Sequence, residues 1–130
     1  MGSTQRAPRH VLIVEDDRVT ALVLSEFLAA QGYRTSVATS GPDGLSQFVS
    51  GKPDLALVDA LLPRMNGFHA CYEMKSTDHG SHTPVVLMSA VYRSTEATAR
   101  AHGVKAAGFL MKPFDLDVLL SHVHQLVGEP

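Results

Sequence analysis

The chain has 130 residues, 11 Lys and Arg against 13 Asp and Glu, a formal charge of −2 with its 7 His neutral, and 45% apolar content. This is one domain, long enough to bury roughly two thirds of its unfolded surface, with no basic excess of the kind that drives direct nucleic-acid binding. A lone cysteine, Cys71, excludes an internal disulfide and fits a reducing compartment, and the polar start and lack of a long apolar run exclude a secretory signal and a membrane span, so the expected setting is cytoplasmic.

Residues 1–8 have the Gly, Ser, Thr and Pro content of a disordered tail, and 9–128 are the expected domain. Val11-Leu12-Ile13-Val14 is a short apolar run, the mark of a strand buried on both faces, and it stops abruptly at Glu15-Asp16-Asp17. Three adjacent acids repel one another unless something positive meets them, although Asp16 or Asp17 also suits the cap of the next helix. Over 18–31 the residues Val19, Leu22, Val23, Phe27 and Leu28 fall at helical spacing, and Gly32 supplies a left-handed stop. Residues 33–38 alternate weakly and read as an exposed edge strand.

Ser40-Gly41-Pro42 opens a second helix carrying Leu45, Phe48 and Val49 inward, stopped by Gly51 and Pro53. Asp54-Leu55-Ala56-Leu57-Val58-Asp59 is then a doubly buried strand, closed by a loop containing Pro63 and Gly67. Asn66-Gly67 starts a third helix with Phe68, Cys71, Tyr72 and Met74 as its inner face, ending near 77–80. Val85-Val86-Leu87-Met88 is a fourth strand that delivers Ser89 to the same edge as Asp59. A helix over 95–102 offers the core only Ala97, Ala99 and Ala101 and is weakly held. Residues 107–111 form a fifth strand ahead of Lys112-Pro113, and Asp115 opens a last helix with Leu116, Leu119, Leu120, Val123 and Val127 on one stripe, stopped by Gly128.

Strands and helices in alternation require right-handed crossovers and a parallel sheet covered on both faces. Every strand then presents its carboxyl end on one side, so Glu15, Asp16, Asp59, Ser89 and Lys112 converge there. A carboxylate is rarely buried unless paired or bound to a metal. Clustered carboxylates with a backbone carbonyl make the hard oxygen site that Mg²⁺ prefers. Lys112 and Ser89 make the pocket complementary to a phosphoryl group, and an in-line Asp can act as the nucleophile.

These residues resemble the receiver domains of two-component response regulators. The likeness runs from Arg9 to about Val127 and rests on the acid run after strand one, Asp59 with Pro63 and Gly67, Met88-Ser89-Ala90 and Lys112-Pro113-Phe114 in this order. It implies a flavodoxin-like doubly wound sheet of five strands in order 2-1-3-4-5 with five helices and a site at the topological switch point. It implies Asp59 as phosphoacceptor, Lys112 and Ser89 as phosphoryl ligands, and Mg²⁺ held by Glu15, Asp16, Asp59 and the Leu61 backbone carbonyl. The Lys112-Pro113 bond is expected in cis. Ser89 and Phe109 are the implied switch, read out on the surface of the fourth helix, fifth strand and last helix.

The implied partners are a histidine kinase or phosphotransfer protein upstream and an effector downstream, with no nucleic acid or membrane, and with a phosphorylation-dependent dimer open. The chain would be no turnover enzyme, catalysing only its own phosphorylation and dephosphorylation. Three departures from the family pattern stand out: Phe109 where Tyr is commoner, an altered turn over 101–108, and apolar Leu61 and Val91 two residues beyond Asp59 and Ser89. The last predicts slow self-dephosphorylation, since neither side chain can orient a water. The alternative is a Mg²⁺-dependent phosphatase or phosphotransferase with an Asp nucleophile, for which Leu61 stands where an acid/base carboxylate is needed. An unphosphorylated interaction module is disfavoured by intact Asp59, Ser89 and Lys112. The six residues His69, His79, His82, His102, His122 and His124 read as solvated surface side chains, the last two being spaced too poorly on a helix to chelate. The expectation at this end of the chain is either a single-domain regulator or a receiver cut from a longer protein.

Overall fold

The computed structural model describes residues 7–90, 100 and 103–130. Five parallel strands, β1 His10–Val14, β2 Arg34–Ala38, β3 Leu55–Asp59, β4 Val85–Ser89 and β5 Gly108–Met111, line up in the order β2-β1-β3-β4-β5. Among the described residues four α-helices cover the sheet: α1 Arg18–Ala30, α2 Gly41–Gly51, α3 Gly67–Lys75 and α4 Leu116–Val127. The helix expected over 95–102, and Val91, lie outside the described residues except for Arg100. The order reverses between β1 and β3, so the flavodoxin-like switch point falls at the ends of those two strands.

The central strands β1, β3 and β4 are buried throughout, as continuous apolar runs require. Their residues alternate between two cores. Leu12, Val14, Ala56, Val58, Val85 and Leu87 meet Phe48, Phe68, Cys71 and Met74 of α2 and α3 on one face. Val11, Ile13, Leu55, Leu57, Val86 and Met88 meet Leu24, Leu28, Leu119 and Val123 of α1 and α4 on the other. Each fully buried large apolar side chain contributes about 1.5–3 kcal/mol against leaving it in water. β2 is the edge strand, half-exposed along most of its length.

The caps follow the sequence. Asp17 accepts from Thr20 N at the start of α1, Ser40 Oγ from Asp43 N at α2 and Asp115 from Asp117 N at α4, while Gly32 takes φ 106° beyond α1. Three inner faces differ from expectation. α1 buries Ala21, Leu24 and Leu28 while Val19, Leu22 and Val23 are 70%, 56% and 47% exposed, because this helix is apolar on two sides and spacing alone does not say which meets the sheet. α2 buries Gly41, Gly44 and Phe48, the glycines letting it approach closely, and Val49 faces outward; Lys52, at φ 46°, ends it rather than Gly51. In α3, Tyr72 lies one position round from the Phe68, Cys71, Met74 stripe and is exposed. That helix ends at Lys75, earlier than expected, where the Thr77 hydroxyl donates to Met74 O and accepts from Gly80 N in a turn leading to a short 3₁₀ segment, Gly80–His82.

Candidate phosphoryl-transfer site

Strand register assembles the site. Val14 is level with Val58, so Glu15 and Asp59 leave β1 and β3 side by side. Asp59 is level with Met88 and Ser89 with Met111, which puts Ser89 one residue and Lys112 two residues beyond the level of Asp59. Two backbone bonds lock the stagger, Ala60 N to Met88 O at 2.8 Å and Lys112 N to Ser89 O at 2.9 Å. The Lys112-Pro113 peptide bond is cis, as expected.

All five predicted strand-end residues come together at this edge except that Asp16, unlike buried Glu15, Asp59 and Ser89, faces solvent. Lys112 Nζ donates to Glu15 Oε1 and to Asp59 Oδ2, the second at 3.2 Å. Asp59 Oδ1 accepts the Leu61 N–H at 3.0 Å, and Glu15 Oε2 accepts the Asp17 N–H at 3.2 Å. One-tenth of the Asp59 side chain stays exposed, enough to be reached from outside.

Burial, and next the hydrogen-bonded Asp59 carboxylate, push Glu15 up to about 7 against the downward pull of Lys112. Burial alone would lower Lys112, but its hydrogen bond to Glu15 and the charges of Glu15 and Asp59 outweigh that and raise it. Lys112 is therefore a fixed ammonium facing more carboxylates than it can neutralise. One oxygen from each of Glu15, Asp16 and Asp59 lies within 4.8 Å of the others. That all-oxygen donor set fits a small hard divalent cation.

Phe109 is half-buried with its ring stacked on Phe68 at 6.4 Å and 16°, and the Arg100 guanidinium lies 4.6 Å over the same Phe68 ring. Leu61 is 43% exposed, its side chain offering no polar atom near Asp59. His79 departs from the expectation of a solvated surface residue: its Nε2 lies 2.7 Å from Pro53 O and its ring packs at 5.5 Å on Phe48. Two features had no sequence signal of their own. His10 is buried at the opposite end of β1, its N–H donating to Asp54 Oδ2 at 2.7 Å. The exposed apolar Val19 and Val23 border a cleft of about 340 Å³ shared with Lys112, Pro113 and Phe114, legible only once the rotation of α1 is known.

The chain is similar to known proteins in sequence and in fold. The family model described as response regulator receiver domain matches residues 11–124. Regulatory protein AtoC of Escherichia coli (strain K12) is 39% identical over 113 residues, covering 87% of this chain and 24% of its own length. The Vibrio cholerae chemotaxis protein CheY4 superposes with a TM-score of 0.88 at 26% identity, over 92% of this chain and 99% of that one. The receiver domain of the sensor histidine kinase PA1611 of Pseudomonas aeruginosa PAO1, described with a magnesium ion coordinated in the active site cleft, superposes at 0.85 with 24% identity over 95% of this chain and 100% of that one, a likeness of fold. The chain covers 24% to 51% of the length of the first curated relatives it matches. No helix among the described residues is long and apolar enough to cross a membrane.

Proposed function

Because this chain belongs to the response regulator receiver family, we propose that it works as a phosphorylation switch in which Asp59 accepts the phosphoryl group. The observation that carries this assignment is Lys112 Nζ bonded to both Glu15 and Asp59 beside three carboxylates gathered within 4.8 Å. Glu15, Asp16 and Asp59, with the Leu61 carbonyl, would hold Mg²⁺. Bound there, the cation supplies charge neutralisation for the oxygens of the transferring group.

An Asp59 carboxylate oxygen forms the new P–O bond while the P–N bond of a donor phosphohistidine breaks, its electron pair staying on the imidazole. Lys112 holds its ammonium against the phosphoryl oxygens, and the Ser89 hydroxyl donates to one of them. Movement of Ser89 toward that oxygen vacates space beside β5, which the Phe109 ring follows, and an effector or second copy reads the change on the face of β5 and α4.

The upstream partner is a histidine kinase or phosphotransfer protein acting in the cytoplasm. Its docking face is the exposed apolar side of α1, where Val19 and Val23 border the cleft that Lys112 closes. Catalysis is confined to the domain's own phosphorylation and its reversal. A turnover phosphatase is disfavoured because Leu61 provides no acid/base group beside the nucleophile.

A small phosphodonor with Mg²⁺ should add one acid-labile phosphoryl group to the protein, measured by mass, and the gain should vanish in Asp59→Asn. Phosphorylation surviving in that variant overturns the assignment, and sustained phosphate release from added phosphomonoesters would establish the phosphatase instead.

A further inference from the structure

We infer that Gly41, at the first turn of α2, is a positioning residue for the cation site. The inference rests on the Mg²⁺ reading above, and it concerns how the loop after Asp59 is held. That loop, residues 60–66, carries the Leu61 carbonyl and has no regular structure. Its root is fixed by Ala60 N to Met88 O and Gly67 N to Ala60 O, at 2.8 and 2.9 Å. Its outer part turns back on itself, with Arg64 at φ 67° and Met65 N donating to Pro63 O at 2.8 Å. Met65 then seats on α2.

The seat is Gly41. A Cβ at that position would lie 2.5 Å from Met65 Cβ and 2.8 Å from the Met65 carbonyl oxygen, closer than real Cβ atoms come. Both obstacles are backbone or the first side-chain atom, so no rotamer change relieves them. The glycine is not demanded by its own conformation, since its φ is not positive. It is demanded by this approach. Gly41 is in turn fixed by the Ser40 cap, whose Oγ accepts the Asp43 N–H at 3.2 Å and whose carbonyl accepts the Gly44 N–H at 2.9 Å. The first turn of α2 is thus a rigid stop against which the loop rests, and it sets how far the Leu61 carbonyl stands from the carboxylates. Partners that orient a ligating group govern affinity nearly as strongly as the ligands themselves.

The test is calorimetric Mg²⁺ titration of the intact chain, with thermal melts of the same samples. Gly41→Ala should bind Mg²⁺ roughly ten-fold more weakly or worse. Leu28→Ala, a core truncation in the last turn of α1 about 15 Å along that helix from its start beside the acids, should lower Tm yet leave the dissociation constant unchanged. Should Gly41→Ala not fold, Met65→Gly removes the Cβ half of the contact without adding bulk and should weaken binding in the same direction. Wild-type affinity in Gly41→Ala, or in Met65→Gly where that variant decides, overturns the positioning role and leaves the Mg²⁺ reading standing. A wild-type chain that binds no Mg²⁺, or binds it as tightly after Asp16→Asn, overturns both.

Discussion

Lys112 Nζ lies 3.2 Å from Asp59 Oδ2 although 53 positions separate the two in sequence. In the absence of a cation the ammonium therefore occupies part of the coordination that Asp59 has to offer, and the two positive groups compete for the same oxygen. Lys112→Met should tighten Mg²⁺ binding, because it removes a rival charge. The same change should slow phosphorylation by a small donor about 10²-fold or more, since a fixed charge aimed at the transferring oxygens is lost. Calorimetry and phosphoryl incorporation followed by mass give the two readings, and both moving in the same direction would refute this account of Lys112.

The lifetime of the phosphorylated state should depend on Leu61. Its N–H is committed to Asp59 Oδ1 and its half-open side chain has no polar atom to hold a water in line. Leu61→Asn supplies one, and phosphoryl loss should accelerate by about ten-fold or more, at the low end of what a positioned proton acceptor contributes. Unchanged decay of the labelled protein would sink the idea.

The sheet and the residues of its reactive edge were legible because both rest on strong local signals. Runs such as Val11 to Val14 and Leu55 to Val58 can only be doubly buried strands, and parallel topology then carries Glu15, Asp59, Ser89 and Lys112 to one edge without any knowledge of side-chain packing. Helix rotation was not legible in the same way. On α1 the stripe through Val19 and Val23 and the stripe through Ala21, Leu24 and Leu28 are both apolar, and the choice between them depends on shape fit to the sheet. The Gly41 seat and the His10 pocket were hidden for a related reason: a close approach belongs to two segments at once, and neither announces it alone.

Phe68 ties the loop after Asp59 to the fifth strand. It is 2% exposed, directly follows Gly67, and stacks on Phe109. Phe68→Ala should cost about 3–5 kcal/mol in urea unfolding, the range for emptying a buried aromatic site. In a double-mutant cycle with Phe109→Leu the two changes should couple by about 0.5–1.5 kcal/mol. Additive effects would mean the stacked rings do not communicate and would remove Phe68 from any path between the phosphoacceptor and β5.

His10 should give the fold an acid-sensitive component. Its ring is buried at the amino end of β1, with Nε2 2.8 Å from Ser36 Oγ and Nδ1 facing the Arg34 guanidinium at 3.4 Å. Burial first, and then the Arg34 charge, lower its pKa below the usual 6.5, with Asp54 opposing. The unfolded chain therefore binds more protons than the folded one between that lowered value and 6.5, so this residue's contribution is intact above the window and is lost as pH falls through it, by at most about 1.4 kcal/mol per pH unit. Glu15, whose pKa is raised, acts in the opposite sense over an overlapping range. Comparing wild type with His10→Asn isolates the histidine: between about pH 7.5 and 5.5 the urea midpoint of the wild type should drop further than that of the variant. Equal drops in the two proteins would show that His10 can take up a proton within the fold at no cost.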